Sequence, residues 1–280
     1  MIITIQQLKR KSLLYRRDIL RWIKHAGAGH TSGSLSCIDI LNVLYNRVLR
    51  VSPATFADST RDRYVQSKGH AVEALFVVLA DRGFFSATEL ETMGAFHSHY
   101  VGHPTRKIRG IEQNTGALGH GLPICTGMAL GGKMDAADFK VFTLLGDGEL
   151  AEGSNWEALM AAAHYRLDNL TVIVDKNLLQ ITGRTRDVMN SEPIADKFAA
   201  FGWAVRSVDG HDVAALAEAL SAPPSRGQPS VVIAHTIKGK GVSFMEGVGK
   251  WHHGAPNDEE YLNAIAELDA ALAEMQGEGI

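Results

Sequence analysis

Short β-branched runs alternate with helical patterns through the second half of this 280-residue chain. From about residue 139, FKVFTLLG, LTVIVD, WAVRSVD and PSVVIAHT are predicted strands, and amphipathic stretches near 154–165, 194–201 and 212–220 separate them. Strands joined by crossover helices build a mostly parallel sheet, because each connection must cross a face of the sheet before the next strand begins. This half predicts an α/β fold with its ligand site at the carboxyl ends of the strands.

Residues 1 to about 135 are predicted to be mainly helical, with loops rich in glycine and histidine between the helices. Apolar residues recur at spacings of three and four in QQLKRKSLLYRRDILRWI, CIDILNVLYNRVL, AVEALFVVLADRG and PICTGMALGGKM. A last helix is predicted for NDEEYLNAIAELDAALAEM, which begins with the capping residues Asn257 and Asp258. The expected architecture is a mostly parallel sheet flanked by helices, with a helical and loop-rich N-terminal portion.

Composition argues against several classes of function. The net charge is only -3 and no lysine or arginine run is long, so neither nucleic acid nor an anionic membrane is an expected partner. No apolar stretch reaches 18 residues, and the order of basic and apolar residues at the N-terminus does not fit a secretory signal. Cys37 and Cys125 lie far apart without metal-ligand spacing, and are predicted to be reduced, packed thiols in a cytoplasmic protein.

Polar residues follow two of the predicted strands. Gly146-Asp147-Gly148 comes after VFTLL, and Asn177 comes after LTVIVD. Since parallel strands end at the same edge of the sheet, the Asp147 carboxylate and the Asn177 amide can converge on one point. Both offer hard oxygen ligands for Mg²⁺, which fills its octahedron with a backbone carbonyl and with water or phosphate oxygens. The flanking glycines and the following helix N-terminus suit a diphosphate, so the pair predicts a metal-held diphosphate site.

Several motifs in the sequence resemble those of the transketolase family. GDGELAEGSNWEAL followed by IVDKNLLQITG is similar to that family's thiamine diphosphate signature. AGAGHTSGSLSCIDIL, SKGHAVEAL and VGHP resemble its first three histidine loops, TGALGHG its glycine turn and KWHHGAP its last histidine loop. The resemblance covers about residues 8–260 and corresponds to the family's first domain, which implies the thiamine diphosphate-binding fold.

The resemblance implies a role for each matching residue at the cofactor. Asp147, Asn177 and the backbone carbonyl of Leu179 would bind the divalent cation, which would be Mg²⁺ or another ion such as Ca²⁺ or Mn²⁺. Glu152 would belong to an acidic network that crosses a subunit boundary. The resemblance also implies a set of cofactor-binding residues, which would contact the diphosphate or the aminopyrimidine or lie beside these groups. They are His70, Gly116, Leu118, Gly146, Gly148, Glu152 and Asn177.

Histidines would form the substrate channel. The resemblance implies that His30, His103 and one of His252 and His253 act on substrate hydroxyl groups, for which imidazole suits because it exchanges protons near neutral pH. Counting back from HGAP favours His253, whereas the preceding Trp251 favours His252, so both remain candidates. The implied reaction transfers a two-carbon ketol unit from a ketose phosphate to an aldose, and the cofactor supplies the electron sink.

A complete family member continues into a pyrimidine-binding domain and a C-terminal domain. Residues 1–280 are therefore expected to form a single diphosphate-binding domain, the N-terminal subunit of a split transketolase. The missing glutamate that protonates the aminopyrimidine would come from a C-terminal partner subunit, so the chain alone is expected to be inactive. The resemblance leads us to expect a heterotetramer with two copies of each subunit.

Two alternatives stay open at the level of sequence. One is a component of another thiamine diphosphate enzyme, such as a 2-oxo acid decarboxylase or dehydrogenase, although the histidine-rich channel argues against it; the other is a non-catalytic scaffold that keeps the same fold. Local interpretations are open as well. Glu149 is interpreted as a first-turn carboxylate stabilised by a helix dipole, and Lys238 and Lys240 either are solvated or close a loop over the cofactor.

Overall fold

In the computed structural model, which describes residues 3–277, helices and strands alternate along the chain. The strands are β1 (Arg63–Gln66), β2 (Val141–Gly146), β3 (Leu170–Lys176), β4 (Ala204–Asp209) and β5 (Ser230–His235). The α-helices are α1 (Ile5–Ala26), α2 (Thr31–Val43), α3 (Val72–Asp81), α4 (Gly121–Met134), α5 (Gly153–His164), α6 (Thr185–Val188), α7 (Ile194–Ala200), α8 (Val213–Ser221) and α9 (Asp258–Gly277). Shorter helical turns are a π-helical turn at Leu44–Val48 and 3₁₀ turns at Gly69–Ala71, Ala87–Thr92, Gly148–Ala151 and Gly249–His252.

The five strands form one sheet in the order β1-β2-β3-β5-β4. Every neighbouring pair is parallel, and β2 and β3 are in register from Val141 opposite Leu170 to Gly146 opposite Asp175. The α/β fold and the parallel sheet predicted from the alternation of strands and helices are confirmed. Because β2, β3 and β5 occupy the centre of the sheet, their carboxyl ends open beside one another.

Strand β1 was missed at the level of sequence. Arg63–Gln66 has only four residues, carries polar side chains at both ends and lies inside the half predicted to be helical. The strand is stabilised by pairing with β2 rather than by its own residue pattern, because Tyr64 lies opposite Phe142 and is buried. A four-residue edge strand has too little periodicity to be distinguished from a loop.

Helix α2 begins at Thr31, earlier than the predicted start at Cys37. All of its residues are buried, including Ser32, Ser34 and Ser36. A helix surrounded by protein on every side has no polar face and therefore no amphipathic period to detect. Its first turn also contains mostly small polar residues, which favour loops in isolation.

Side chains on the two faces of the sheet pack into two hydrophobic clusters. Phe142 and Leu144 of β2 join the cluster that includes residues of α1, α2, α3 and α8. Val141 and Leu145, which alternate with them, join the cluster under α4, α5 and α7. Helices therefore cover both faces, as expected for a parallel sheet. Truncation of one of these side chains to alanine would cost about 2–5 kcal/mol.

A buried ion pair joins α1 to α2. The guanidinium of Arg16 donates to Asp39 at 3.0 Å and 2.5 Å, and His211 Nδ1 lies 2.7 Å from Asp39 Oδ2. The Ile237 backbone N–H donates to His211 Nε2 at 2.8 Å, so Nδ1 carries the ring hydrogen and donates to Asp39. Burial alone would raise the pKa of Asp39, but Arg16 and His211 outweigh it and hold that pKa well below its usual range.

Both cysteines are buried and free, so the prediction of packed thiols is confirmed. Burial raises the pKa of Cys37 and of Cys125 to about 12, which keeps the reactive thiolate scarce at neutral pH. Within residues 3–277, no helix is long and apolar enough to cross a membrane.

Candidate active site

A cleft of about 570 Å³ opens at the carboxyl ends of β2 and β3. The structure brings almost all of the predicted site residues to its walls, although they come from segments far apart in sequence. The predicted residues that line it are His30, His70, His103, Gly116, Leu118, Gly146, Asp147, Gly148, Glu152, Asn177, Leu179 and His252. Of the predicted set, His253 lies outside this lining, but its ring centroid is 4.7 Å from that of His30.

The floor of the cleft holds the Asp147 carboxylate, which is 2% exposed. Its Oδ1 accepts the Gly148 N–H at 2.9 Å, and its Oδ2 accepts the Leu178 N–H at 2.7 Å. Burial, followed by the nearby charge of Asp175, raises the pKa of Asp147 to about 6. No basic side chain in residues 3–277 forms a salt bridge with it. Its charge is therefore held in place by backbone donors and lacks a counter-ion.

Asn177 and Leu179 lie in the same turn. Asn177 Oδ1 accepts the Leu179 N–H at 3.2 Å, while its Nδ2 donates to Asp175 at 3.2 Å. Leu178 between them has a φ of 65°, in the left-handed region that non-glycine residues seldom adopt. In the part of the chain that the structure describes, no three His, Cys, Asp or Glu side chains form a metal cluster. A cation here would take one carboxylate, one amide and one carbonyl, a set that suits Mg²⁺.

Asp175, which accepts a hydrogen bond from Asn177, forms a buried ion pair with Lys68. Both side chains are buried, and the Lys68 ammonium donates to Asp175 and, at 3.1 Å, to the Gly33 carbonyl. Burial opposes both charges, yet their mutual attraction prevails, so the pKa of Lys68 is raised and that of Asp175 is lowered. Neither residue was singled out at the level of sequence, since a pair 107 positions apart leaves no local signal.

Five imidazoles gather on the other side of the cleft. Ring centroids lie 5.2 Å apart for His30 and His70, 6.0 Å for His30 and His103, and 5.5 Å for His30 and His252. Burial lowers the pKa of His30 to about 4, with His253 and His103 adding to the effect, and it also lowers the pKa of His70 and of His103. The rings of His30, His70 and His103 are therefore neutral at pH 7, and each can accept one hydrogen bond and donate another.

Lys238 connects the histidines to the turn that contains Asn177 and Leu179. Its Nζ donates to the Leu179 carbonyl at 3.0 Å and to His252 Nδ1 at 2.9 Å. Burial lowers the pKa of Lys238 to about 8, and burial together with Lys238 lowers the pKa of His252 to about 3. The structure therefore places Lys238 inside the cleft. Lys240, by contrast, pairs with Glu246 in a half-exposed salt bridge.

Glu149 is a structural residue of the cleft that the sequence interpretation undervalued. It is buried, and one carboxylate oxygen accepts from Ser67 and from the Gly119 N–H at 2.9 Å. The other oxygen accepts the Gly146 N–H at 3.1 Å. Glu149 thus ties together three loops that line the cleft, whereas Glu152, preferred as the functional candidate, is exposed at the rim.

Close backbone approach shapes the cleft at two glycines. Gly116 has a φ of +135°, and a Cβ there would lie 2.7 Å from His103 Cδ2. A Cβ on Gly148 would lie 2.5 Å from Gln180 Nε2. Both positions need glycine because a side chain would displace a residue of the cleft. In addition, His30 Nδ1 is buried without a hydrogen-bond partner among the described residues. An uncompensated carboxylate, bare backbone and an unpaired ring nitrogen together fit a diphosphate cofactor held by a cation.

Comparison with known proteins decides which family has this arrangement. Residues 14–269 match the family model described as transketolase, thiamine diphosphate binding domain. The chain belongs to the transketolase family. As in other members of that family, the matched segment carries the cofactor-binding fold, and this chain corresponds to the N-terminal subunit of a transketolase-type transferase.

Two relatives of this transketolase chain are themselves named as subunits. An apulose-4-phosphate transketolase subunit of Phocaeicola vulgatus is 45% identical over 98% of this chain and 98% of its own length. A 6-deoxy-6-sulfo-D-fructose transketolase subunit of Clostridium sp. is 39% identical over 94% of this chain and 96% of its own length.

A solved transketolase from Campylobacter jejuni superimposes with a TM-score of 0.81 at 29% identity. It covers 99% of this chain, but this chain spans only 48% of that protein. The transketolase fold predicted from the sequence motifs is therefore confirmed.

Proposed function

We propose that the chain binds thiamine diphosphate and a divalent cation in this cleft and, together with a second subunit, transfers a two-carbon ketol unit from a ketose to an aldose. The observation that carries the proposal is the buried, uncompensated Asp147 carboxylate in the same cleft as four neutral imidazoles, those of His30, His70, His103 and His252. When bound, the cofactor supplies the carbon nucleophile and electron sink for this reaction. The protein supplies position, charge and proton transfer.

The cation end of the site is assigned to Asp147, Asn177 and the carbonyl of Leu179. Mg²⁺ is the expected ion, and Ca²⁺ or Mn²⁺ accept the same oxygen ligands. A divalent cation would provide the counter-charge that Asp147 lacks. Lys238 and the backbone at Gly148 would hold the diphosphate, since an ammonium group and a close backbone approach both suit phosphate oxygens.

Substrate hydroxyl groups would contact the histidines. A neutral imidazole can accept the proton of the hydroxyl on the carbon next to the carbonyl, and this proton loss accompanies cleavage of the carbon–carbon bond. His30 and His103 are the principal candidates to accept that proton, and His252 or His253 would also contact a substrate hydroxyl. His252 has its Nδ1 occupied by Lys238, so its Nε2 carries the hydrogen and can only donate. His253 is more exposed and lies nearest to His30.

The second subunit is proposed to be a C-terminal chain that carries the pyrimidine-binding domain, in a heterotetramer with two copies of each chain. Support comes from relatives of matching length that are named as subunits. Exposed apolar side chains lie in or beside the cleft: Ile181 (72% exposed) and Met189 (59%) line it, and Leu178 (50%) lies in the turn between Asn177 and Leu179. Such a rim suits burial against another protein surface. A reducing cytoplasmic location suits the free thiols of Cys37 and Cys125.

The donor is proposed to be a ketose that carries an anionic group. This inference comes from the relatives, whose names specify a sugar phosphate and a sulfo-sugar. Both kinds of donor would present the same ketol end to the histidines.

Ketol transfer assays of the chain alone and of the chain with its partner test the function. Each sample receives thiamine diphosphate, Mg²⁺, a ketose phosphate or sulfo-ketose, and an aldehyde acceptor. Activity is expected only in the mixture and only with both cofactors. Turnover by the chain alone would contradict the need for a partner, and turnover without a divalent cation would contradict the cation site.

A further inference from the structure

Asp175, at the end of β3, is fully buried and is surrounded by hydrogen-bond donors from four segments. Its Oδ2 accepts from Ser36 Oγ at 2.7 Å, from Asn177 Nδ2 at 3.2 Å and from the Lys68 ammonium. Its Oδ1 accepts from the Thr236 hydroxyl. A carboxylate suits this position because it only accepts hydrogen bonds. An amide of the same shape would turn N–H groups toward at least one of these donors.

The contact with Asp175 decides which way the Asn177 amide faces. Rotating that amide by half a turn would set its oxygen against the Asp175 carboxylate and its N–H groups against the Leu179 N–H. Both new contacts would be repulsive, so the observed orientation is strongly preferred. Asn177 Oδ1, rather than Nδ2, is therefore held on the side of the Leu179 N–H.

Oxygens of Asp147 and Asn177 converge at that same turn. The successive backbone N–H groups of Leu178 and Leu179 donate to Asp147 Oδ2 at 2.7 Å and to Asn177 Oδ1 at 3.2 Å. These two side-chain oxygens, held by hydrogen bonds from adjacent peptide groups, would form one face of a cation site. A cation needs oxygen at both positions, because an amide N–H group pointing toward it would repel it.

We propose that Asp175 is a positioning residue for the cation: it fixes the Asn177 amide so that the oxygen faces the metal position, and Lys68 serves as its buried counter-ion. Asp175 is fully buried and is not among the residues that line the cleft, so it would act through Asn177. This inference rests on the cation site of the proposed function and goes beyond it by assigning the pair that orients one of the ligands. Outer contacts of this kind commonly change metal affinity by about 10–100-fold.

A double-mutant cycle separates orientation from a general structural effect. Asp175→Asn should free the Asn177 amide to rotate and weaken cation binding. Asn177→Asp should also weaken binding, because it sets a second carboxylate against Asp175. An aspartate at position 177 has two oxygens and needs no orientation, so the double variant should bind the cation more tightly than the Asn177→Asp single variant.

The measurement is the Kd of Mn²⁺, read by electron paramagnetic resonance on the complex of the full chain with its partner and saturating thiamine diphosphate. Asp175→Asn is expected to raise this Kd by about 10–100-fold. Asp62→Asn is the matched control. Asp62 is a buried aspartate paired with Arg50, and it immediately precedes β1, at the amino-terminal end of the parallel strands. That control should leave the Kd unchanged.

Loss of Asp175 alone leaves the Lys68 charge buried and can prevent folding. If it does, the pair is removed together as Lys68→Met with Asp175→Asn, and the same rise in Kd is expected. A folded Asp175 variant that binds Mn²⁺ within about twofold of wild type would overturn the proposal, as would a double variant at 175 and 177 no tighter than Asn177→Asp. No Mn²⁺ binding by the wild-type complex would instead overturn the cation site itself.

Discussion

The helical layer and the carboxyl edge of the sheet each bury one aspartate, and the two have opposite environments. Asp39 and Asp147 are both 2% exposed. Asp39 is gripped by the Arg16 guanidinium and by His211, which hold its pKa well below the usual range. Among the described residues, the Asp147 carboxylate accepts hydrogen bonds only from backbone N–H groups, and its burial raises its pKa to about 6. Burial is the same in the two regions, so the difference is the counter-ion.

The contrast distinguishes a carboxylate that supports the fold from one that is proposed to bind a cation. A buried charge with a built-in partner is already compensated and has little affinity left for a cation. A buried charge without one costs stability until a ligand arrives. The cleft therefore holds an energetic deficit that binding of a divalent cation would remove.

Substituting Asp147 should give the largest effect. Asp147→Asn removes the charged ligand, so cation-dependent binding of thiamine diphosphate is expected to be lost, and ketol transfer by the complex with it. Stability without cofactor should fall by less than in Asp39→Asn, since no paired charge is broken. Calorimetric titration with thiamine diphosphate and Mg²⁺, alongside thermal denaturation, measures both. Retention of Mg²⁺-dependent binding would break the contrast between the two aspartates.

The converse substitution, Asp39→Asn, should damage the fold and spare the site. It leaves the Arg16 charge buried without a partner, which costs about 3–5 kcal/mol. Urea denaturation followed by circular dichroism gives the change in free energy of unfolding. For the protein that remains folded, the Kd for thiamine diphosphate should match wild type. A weakened cofactor Kd with unchanged stability would reverse the assigned roles.

Substitution of Glu149 tests a buried carboxylate whose hydrogen-bond donors, within residues 3–277, are all neutral. In Glu149→Gln the amide must turn an N–H group toward one of the donors from Ser67, Gly119 or Gly146, at a cost of about 1–3 kcal/mol. The loosened loops should also weaken thiamine diphosphate binding. Glu157→Gln is the control, because Glu157 is an exposed residue of α5. Equal stabilities for the two variants would show that Glu149 does not join these loops.

The smallest expected effect is the contribution of the Asp39 ion pair to the pH dependence of the unfolding free energy. Its pKa in the folded protein is depressed below the value of about 3.9 in an unfolded chain. The stabilisation is therefore fully present above about pH 4 and is lost as the pH falls below it. Thermal denaturation of wild type between pH 7 and pH 3 should show this loss. Asp39→Asn should show a shallower decline, and parallel curves would contradict the assignment.

Much of the site could be predicted from sequence because its residues lie in short local motifs. Asp147 and Asn177 follow strands with clear β-branched patterns, and His30, His70 and His103 each sit in a glycine-flanked loop. The residues that were missed or undervalued act through distant contacts. Lys68 meets Asp175 across 107 positions, and Glu149 meets Ser67 across 82. No local pattern records such pairs.

The sequence by itself determined the parallel α/β fold, the family and the strand-end position of the candidate ligand-binding residues, because periodicity and turn chemistry are local properties of the chain. Only the tertiary structure decided which charges are compensated. Asp39, Asp147 and Asp175 are the same residue type in the sequence, and all three are buried in the structure. Folding gives Asp39 and Asp175 a cationic partner and leaves Asp147 without one among residues 3–277. Electrostatic energy depends on distances in space, which the order of residues does not specify.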